Sequence, residues 1–176
     1  MFSMDDFQRA KAGIGGIERA ILFSLNKNPV SYSMSLLNSK DRGKQVEMMI
    51  GNRLIASGFG VKYVGDTMGY DLLVNNFMKI EVKCATMRHI DNRYVIQKIK
   101  PECFDIMFMV FIAPDRQEIR WTTQEMVIDW TQGKSRREQG YNVWFTPEIT
   151  NDNFIYNDNY HSFLKEYGWQ NESLCA

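Results

Sequence analysis

The chain has 176 residues, enough for one domain with a substantial core or for one domain plus a small appendage. Apolar residues make up 44% and charged residues 24%, which is typical of soluble globular proteins. The 21 basic and 21 acidic residues cancel, which disfavours a protein that coats nucleic acid indiscriminately. No apolar run is long enough to cross a bilayer and the first residues contain no apolar signal segment, so we expect a cytoplasmic protein that does not bind membranes.

The cysteines do not indicate a metal site or a disulfide framework. Cys84, Cys103 and Cys175 are odd in number and widely spaced, and only His89 and His161 could complement them as zinc ligands. We therefore predict reduced, partly buried cysteines that act as small apolar side chains.

Helices are predicted first along the chain, and strands follow. Residues 5–28 and 41–57 show helical spacing of apolar side chains, and glycines interrupt the first segment. Gly58 stands where a glycine would end the second helix. Strands are then predicted at 61–64, 70–74, 78–84, 93–99, 104–113 and 118–121, and the apolar run 104–113 is expected to be buried and central.

Thr122 and Glu125 have the spacing of a capping box, which predicts a short helix over 124–130 that ends at Gly133. An exposed charged loop is predicted at 134–139, and the aromatic last third favours a strand followed by a C-terminal helix.

The whole pattern predicts the α/β class, with a mixed β-sheet flanked by helices in a single domain over 1–176. Its core is placed at about 41–113, between an N-terminal helical segment at 1–40 and a C-terminal extension at 114–176.

Charged residues share one side of a predicted apolar hairpin. Strand alternation puts Glu81 and Lys83 on the face opposite Ile80. If the turn at 75–77 has three residues, Asp71 lies directly opposite Glu81, whereas a two-residue turn would place it opposite Ile80. A site that uses both carboxylates therefore predicts a three-residue loop or a bulge at this turn.

Two carboxylates that face each other across a strand pair repel, unless a cation lies between them. Carboxylate oxygens suit Mg²⁺ or Mn²⁺, and such an ion polarises a phosphate and lowers the pKa of bound water. A lysine two residues after the acid is placed to orient that water or to stabilise developing charge. Asp71, Glu81 and Lys83 are therefore candidates for a metal-dependent phosphodiesterase site.

Asp71, nine further residues and then Glu81-Val82-Lys83 resemble the D…(D/E)-X-K core of the PD-(D/E)XK, or restriction-endonuclease-like, nuclease superfamily. The resemblance implies a restriction-endonuclease-like core in which Asp71, Glu81 and the backbone carbonyl of Val82 hold Mg²⁺ (or Mn²⁺) and Lys83 assists the attacking water. In this family a glutamate on the preceding helix often completes the site, and Glu47 fits that position.

The resemblance covers roughly residues 41–113 and departs from the family pattern in two places. Tyr70 stands where the motif has proline, and no helix is predicted between 85 and 103, where the family has one.

The resemblance implies a Mg-dependent endodeoxyribonuclease that acts on double-stranded DNA, of restriction-like or phage type, and working as a homodimer. Five further polar side chains could contact DNA, although each has an ordinary surface role as its alternative; these are Gln97, Lys98, Lys100, Arg136 and Arg137.

Other interpretations stay open. A Holliday-junction resolvase or a homing endonuclease could use the same fold, and a catalytically inert DNA-binding or partner-binding domain could retain it. The charged residues could also form a plain salt-bridged hairpin, since an acid-x-Lys triplet is expected about once by chance in a chain of this length.

Overall fold

A mixed five-stranded β-sheet forms the centre of the computed structural model, which describes residues 34, 37–65, 68–88, 91, 93–113 and 116–146. In sheet order the strands are β1 (Val61–Tyr63), β2 (Leu72–Val74), β3 (Met78–Thr86), β5 (Ile106–Ile112) and β6 (Gln117–Thr123). Strands β3 and β5 run parallel, and the other neighbours run antiparallel.

A second sheet is a two-stranded antiparallel ribbon that consists of β4 (Tyr94–Ile99) and β7 (Tyr141–Phe145). The described helices are α1 (Ser39–Ala56) and α2 (Gln124–Thr131), and Pro101–Cys103 forms one 3₁₀ turn. These elements confirm the predicted α/β class and the mixed sheet flanked by helices.

Strand β5 is an interior strand of the sheet and is buried on both faces, as predicted. All seven of its residues are buried, and they alternate between two apolar clusters on opposite faces of the sheet. Phe108 faces the cluster that includes α1, whereas Met107 and Phe111 face the cluster that includes the ribbon. Burying a side chain of this size contributes roughly 1.5–3 kcal/mol, so the apolar run anchors both layers.

Helix α1 covers one face of the sheet through Val46, Ile50 and Leu54, which are fully buried or nearly so. The Asn38 side chain caps its first turn by accepting a hydrogen bond from the backbone N–H of Asp41, 3.0 Å away. After the helix, Gly58 adopts a φ of +90°, which confirms the predicted glycine end.

Two glycines of this region should respond to alanine in opposite ways. Gly43 lies inside α1 with open space where a Cβ would stand, so Gly43→Ala should stabilise the protein by about 0.5–1 kcal/mol. At Gly58 the positive φ strains any side chain, so Gly58→Ala should destabilise by about 1 kcal/mol. Urea unfolding of both variants checks the pair, and a shift of the same sign in both would contradict this account of α1.

The ribbon packs on the opposite face of the sheet. Tyr94 meets Phe111 edge to face with ring centroids 5.0 Å apart, and Phe145 meets the same ring at 5.5 Å. Helix α2 joins this layer through Val127, which is fully buried. The inner face of the ribbon is therefore fixed to the sheet, and its outer face remains exposed.

The predicted capping box of Thr122 and Glu125 is wrong. Thr122 still belongs to β6 and is fully buried, so its hydroxyl does not cap the helix. Thr123 is the N-cap residue and makes no side-chain capping bond, while the Gln124 N–H donates to the Asp105 carbonyl at 2.8 Å.

Between β3 and β5 the described residues form β4 and the 3₁₀ turn but no α-helix, in agreement with the sequence prediction. Cys84 and Cys103 are free and partly buried, as predicted, whereas Cys175 lies outside the described residues. The predicted helices at 5–28 and at the C-terminus also lie outside them. No helix within the described ranges has the length and apolarity needed to span a membrane.

Candidate active site

The turn between β2 and β3 has the three-residue length that the sequence predicts. Val74 pairs with Met78, and the Phe77 N–H closes the loop on the Val74 carbonyl at 3.2 Å. Asn75 and Asn76 have φ of 50° and 64°, the left-handed region that asparagine tolerates better than most residues.

This register brings Asp71 beside Glu81. Leu72 pairs with Ile80, and the Asp71 N–H donates to the Ile80 carbonyl at 2.9 Å. The Asp71 Oδ2 atom in turn accepts from the Val82 N–H at 2.7 Å, so this carboxylate takes the place of a backbone acceptor just before β2 begins. Because the N–H and C=O of one strand residue point to the same side, the Val82 carbonyl also faces the Asp71 side of β3.

Acidic and basic side chains line an open pocket of about 440 Å³. It is lined by Asp71, Glu81 and Lys83 from the hairpin and by Lys98 and Lys100 from the end of β4 and the segment after it. Its remaining lining residues are Gly69, Tyr70 and Gln139. Two acids and three lysines thus share one solvent-accessible cavity.

Glu81 lies at the base of this pocket with only 6% of its surface exposed, and its carboxylate contacts the Lys83 ammonium. Burial raises its pKa from the usual 4.5 to about 7; the Lys83 charge opposes the rise, and the carboxylates of Asp71 and Glu47 add to it. The fold therefore disfavours the charged form of Glu81, and a bound cation would offset this cost.

Because of the raised pKa of Glu81, the free energy of unfolding of the metal-free protein should depend on pH. Because the folded-state pKa of Glu81 is about 7, above the usual 4.5, its stabilising contribution is complete below pH 4.5 and is lost as pH rises through 7. The difference between wild type and Glu81→Gln in EDTA should grow by up to about 3 kcal/mol between pH 4.5 and pH 8, in favour of the variant.

Urea titrations at several pH values measure this difference. Glu125→Gln is the matched control, since Glu125 is an exposed carboxylate on α2 and should show little such growth. A wild-type to Glu81→Gln difference that stays constant with pH would contradict the raised pKa.

The donor set fits a hard divalent cation. The carboxylates of Asp71 and Glu81 and the Val82 carbonyl are the groups that would hold Mg²⁺ or Mn²⁺ here. Glu47 lies half-buried on α1, close enough for its charge to raise the pKa of Glu81. Glu47 does not line the pocket, and among the residues that the structure describes no three acidic, histidine or cysteine side chains are placed to hold a metal ion together, so its role as a further ligand stays a prediction.

The predicted DNA-contacting residues separate into two groups. Gln97, Lys98 and Arg137 line a second pocket of about 290 Å³, and Lys98 belongs to both pockets. Lys100 faces the first pocket. Arg136 lines neither pocket; its guanidinium contacts the Glu102 carboxylate and lies 5.7 Å from the ring centroid of Tyr141.

Gln139 lines both pockets and was not among the predicted site residues. It belongs to the stretch 134–139 that was predicted as an exposed loop, and nothing in the sequence pattern there distinguishes it from its neighbours. Only the position of β7 beside β4 brings it to the acids.

No family model matches the chain, and no curated protein matches it. Among solved structures it is similar to a bacterial homing endonuclease, I-Ssp6803I, with a TM-score of 0.56 and 16% sequence identity. The likeness covers 77% of this chain and 99% of that one. At this identity the likeness establishes that the two chains share a fold.

Proposed function

We propose that the protein is a divalent-metal-dependent endodeoxyribonuclease that hydrolyses phosphodiester bonds in double-stranded DNA. The observation that carries this proposal is the meeting of Asp71, Glu81 and Lys83 in one open pocket that Lys98 and Lys100 also line. The same fold occurs in a bacterial homing endonuclease, which supports a DNA substrate.

Each residue has a part in this chemistry. Asp71, Glu81 and the Val82 carbonyl would hold Mg²⁺ or Mn²⁺, which when bound polarises a phosphate and acidifies a water molecule. Lys83, next to Glu81, orients the attacking water and offsets charge that develops on the phosphate. Lys98 and Lys100 hold the DNA backbone by contacts to phosphate oxygens.

The candidate types within this class are a restriction-like or phage-type enzyme, a homing endonuclease and a Holliday-junction resolvase. I-Ssp6803I is a homing endonuclease, so the homing type stands as a candidate beside the restriction-like or phage-type enzyme. Comparing the cleavage of four-way junctions with that of linear duplex distinguishes a resolvase from the other types.

Incubation of the full chain with supercoiled, linear and four-way-junction DNA tests the proposal. We expect cleavage with Mg²⁺ or Mn²⁺ and none with EDTA, and sequencing of the product ends identifies the site and the cut geometry. The substrates should include long, varied duplexes so that a rare site is represented. DNA that stays intact in every form, with either metal, would contradict the proposal.

A further inference from the structure

A second pocket continues from the acidic one along the outer face of the β4–β7 ribbon. It measures about 290 Å³ and shares Lys98 and Gln139 with the first pocket. Its other polar lining side chains are Gln97, Arg137, Glu138 and Asn142. A ligand held in the acidic pocket can therefore extend into this one without leaving the protein surface.

A β-bulge in β4 exposes two of the residues that line this second pocket. Ile96 pairs with Val143 but Ile99 pairs with Tyr141, so β4 has one residue more than β7 over this interval. As a result two consecutive residues, Gln97 and Lys98, are exposed on the same outer face, whereas regular alternation would bury one of them.

The bulge is held in a conformation that costs free energy. Lys98 has a φ of 59°, which for a lysine costs on the order of 1 kcal/mol. Its N–H donates to the Asn142 Oδ1 atom at 3.4 Å, and a Cβ on Gly140 would come within 2.5 Å of the Ile99 carbonyl oxygen. Glycine at 140 thus lets the backbone of the loop approach the bulge. The strained conformation of Lys98 belongs to the same bulge, which leaves Gln97 and Lys98 exposed.

The chemistry of the lining matches a DNA duplex. Lys98 and Arg137 supply positive charge for phosphates, against the single carboxylate of Glu138. Gln97 and Asn142 supply amides, the side chains that make paired hydrogen bonds to adenine in the major groove. A two-stranded ribbon is also narrow enough to enter that groove.

We propose that this second pocket is a base-reading subsite for the nucleotides that flank the cleaved bond. Gln97 and Asn142 contact base edges, and Lys98 and Arg137 contact the adjoining phosphates. The inference rests on the proposed function, because it takes the acidic pocket as the place where the phosphodiester is cut.

Selection of bound sequences from randomised duplex DNA tests the subsite without requiring cleavage. The full chain is incubated with the library in Ca²⁺ in place of Mg²⁺, and the bound DNA is sequenced. We expect wild type to enrich a sequence, and Gln97→Ala to lose discrimination about tenfold or more at one or two positions while its affinity for random competitor DNA is unchanged.

Two further variants distinguish a loss of base recognition from a folding defect and from a loss of electrostatic attraction to DNA. Gln45→Ala removes an exposed amide from α1, which lies on the other face of the sheet, and should enrich the wild-type sequence. Arg137→Ala should weaken binding to all sequences and reduce the salt dependence by about one phosphate contact. Asn142→Ala is less suited as the main variant, because its side chain also holds the bulge.

If wild type enriches no sequence, or if Gln97→Ala enriches the wild-type sequence with undiminished discrimination, the subsite proposal is overturned. Failure of the nuclease assignment has a different signature, which is a selected duplex that stays uncut in Mg²⁺ and Mn²⁺. Cleavage by wild type with an unchanged preference in Gln97→Ala would leave the nuclease in place and remove only the subsite.

Discussion

Glu81→Gln should lower the rate of DNA cleavage by roughly a thousandfold, since a bound metal stabilises the transition state by several kcal/mol and each 1.36 kcal/mol is a factor of ten. Glutamine keeps the size of the side chain but removes the negative charge that a divalent cation requires. Because Glu81 is buried and its pKa is raised to about 7, the variant should also be at least as stable as wild type without metal at pH 8.

Cleavage rates in Mg²⁺ and unfolding free energies in EDTA must be measured on the same preparations. Loss of cleavage together with retained or increased stability would identify Glu81 as a functional group that the fold holds at a cost. A Glu81→Gln protein that still cuts DNA near the wild-type rate would exclude this carboxylate from the chemistry. Glu125→Gln, at an exposed carboxylate, should cut normally.

Lys83→Ala should reduce cleavage by about a hundredfold to a thousandfold while DNA binding changes little. The Lys83 ammonium contacts Glu81 at the base of the pocket, and its side chain is 24% exposed, so it can act on the reacting groups and is not needed to fill the core. Single-turnover cleavage with saturating enzyme separates this chemical effect from weaker binding.

Lys40→Ala serves as the control, because it removes an exposed lysine from the first turn of α1. The control should cleave and bind like wild type. If neither wild type nor Lys83→Ala cuts DNA in this assay and both bind it, the catalytically inert DNA-binding interpretation is the correct one.

The hairpin was predictable because its signals are local. The alternation of Lys79-Ile80-Glu81-Val82-Lys83 determines which side chains share a face, and a site in which Asp71 meets Glu81 requires a three-residue loop or a bulge, of which the structure has the loop. The apolar run at 104–113 identified the buried central strand for the same reason, since every residue of β5 is apolar.

The ribbon was not predictable, because its pairing joins residues far apart in the sequence. Val95 pairs with Trp144 across almost fifty residues, and nothing near Gln97 and Lys98 indicates a bulge. The second pocket and the place of Gln139 follow from that pairing alone.

The capping motif failed for a physical reason that also concerns distant contacts. Thr122 has the right spacing from Glu125, but pairing of β6 with β5 keeps Thr122 inside the sheet and buries it. A local motif gives way when a longer strand pairing engages one of its residues.

Anomalous diffraction from crystals grown with Mn²⁺ and a DNA duplex tests most directly whether the two carboxylates trap a divalent ion at the site of cutting. We expect an anomalous peak between Asp71 and Glu81, next to the Val82 carbonyl and a phosphate of the DNA, and its loss in Glu81→Gln crystals. Manganese bound elsewhere, with these carboxylates away from the DNA, would contradict this expectation.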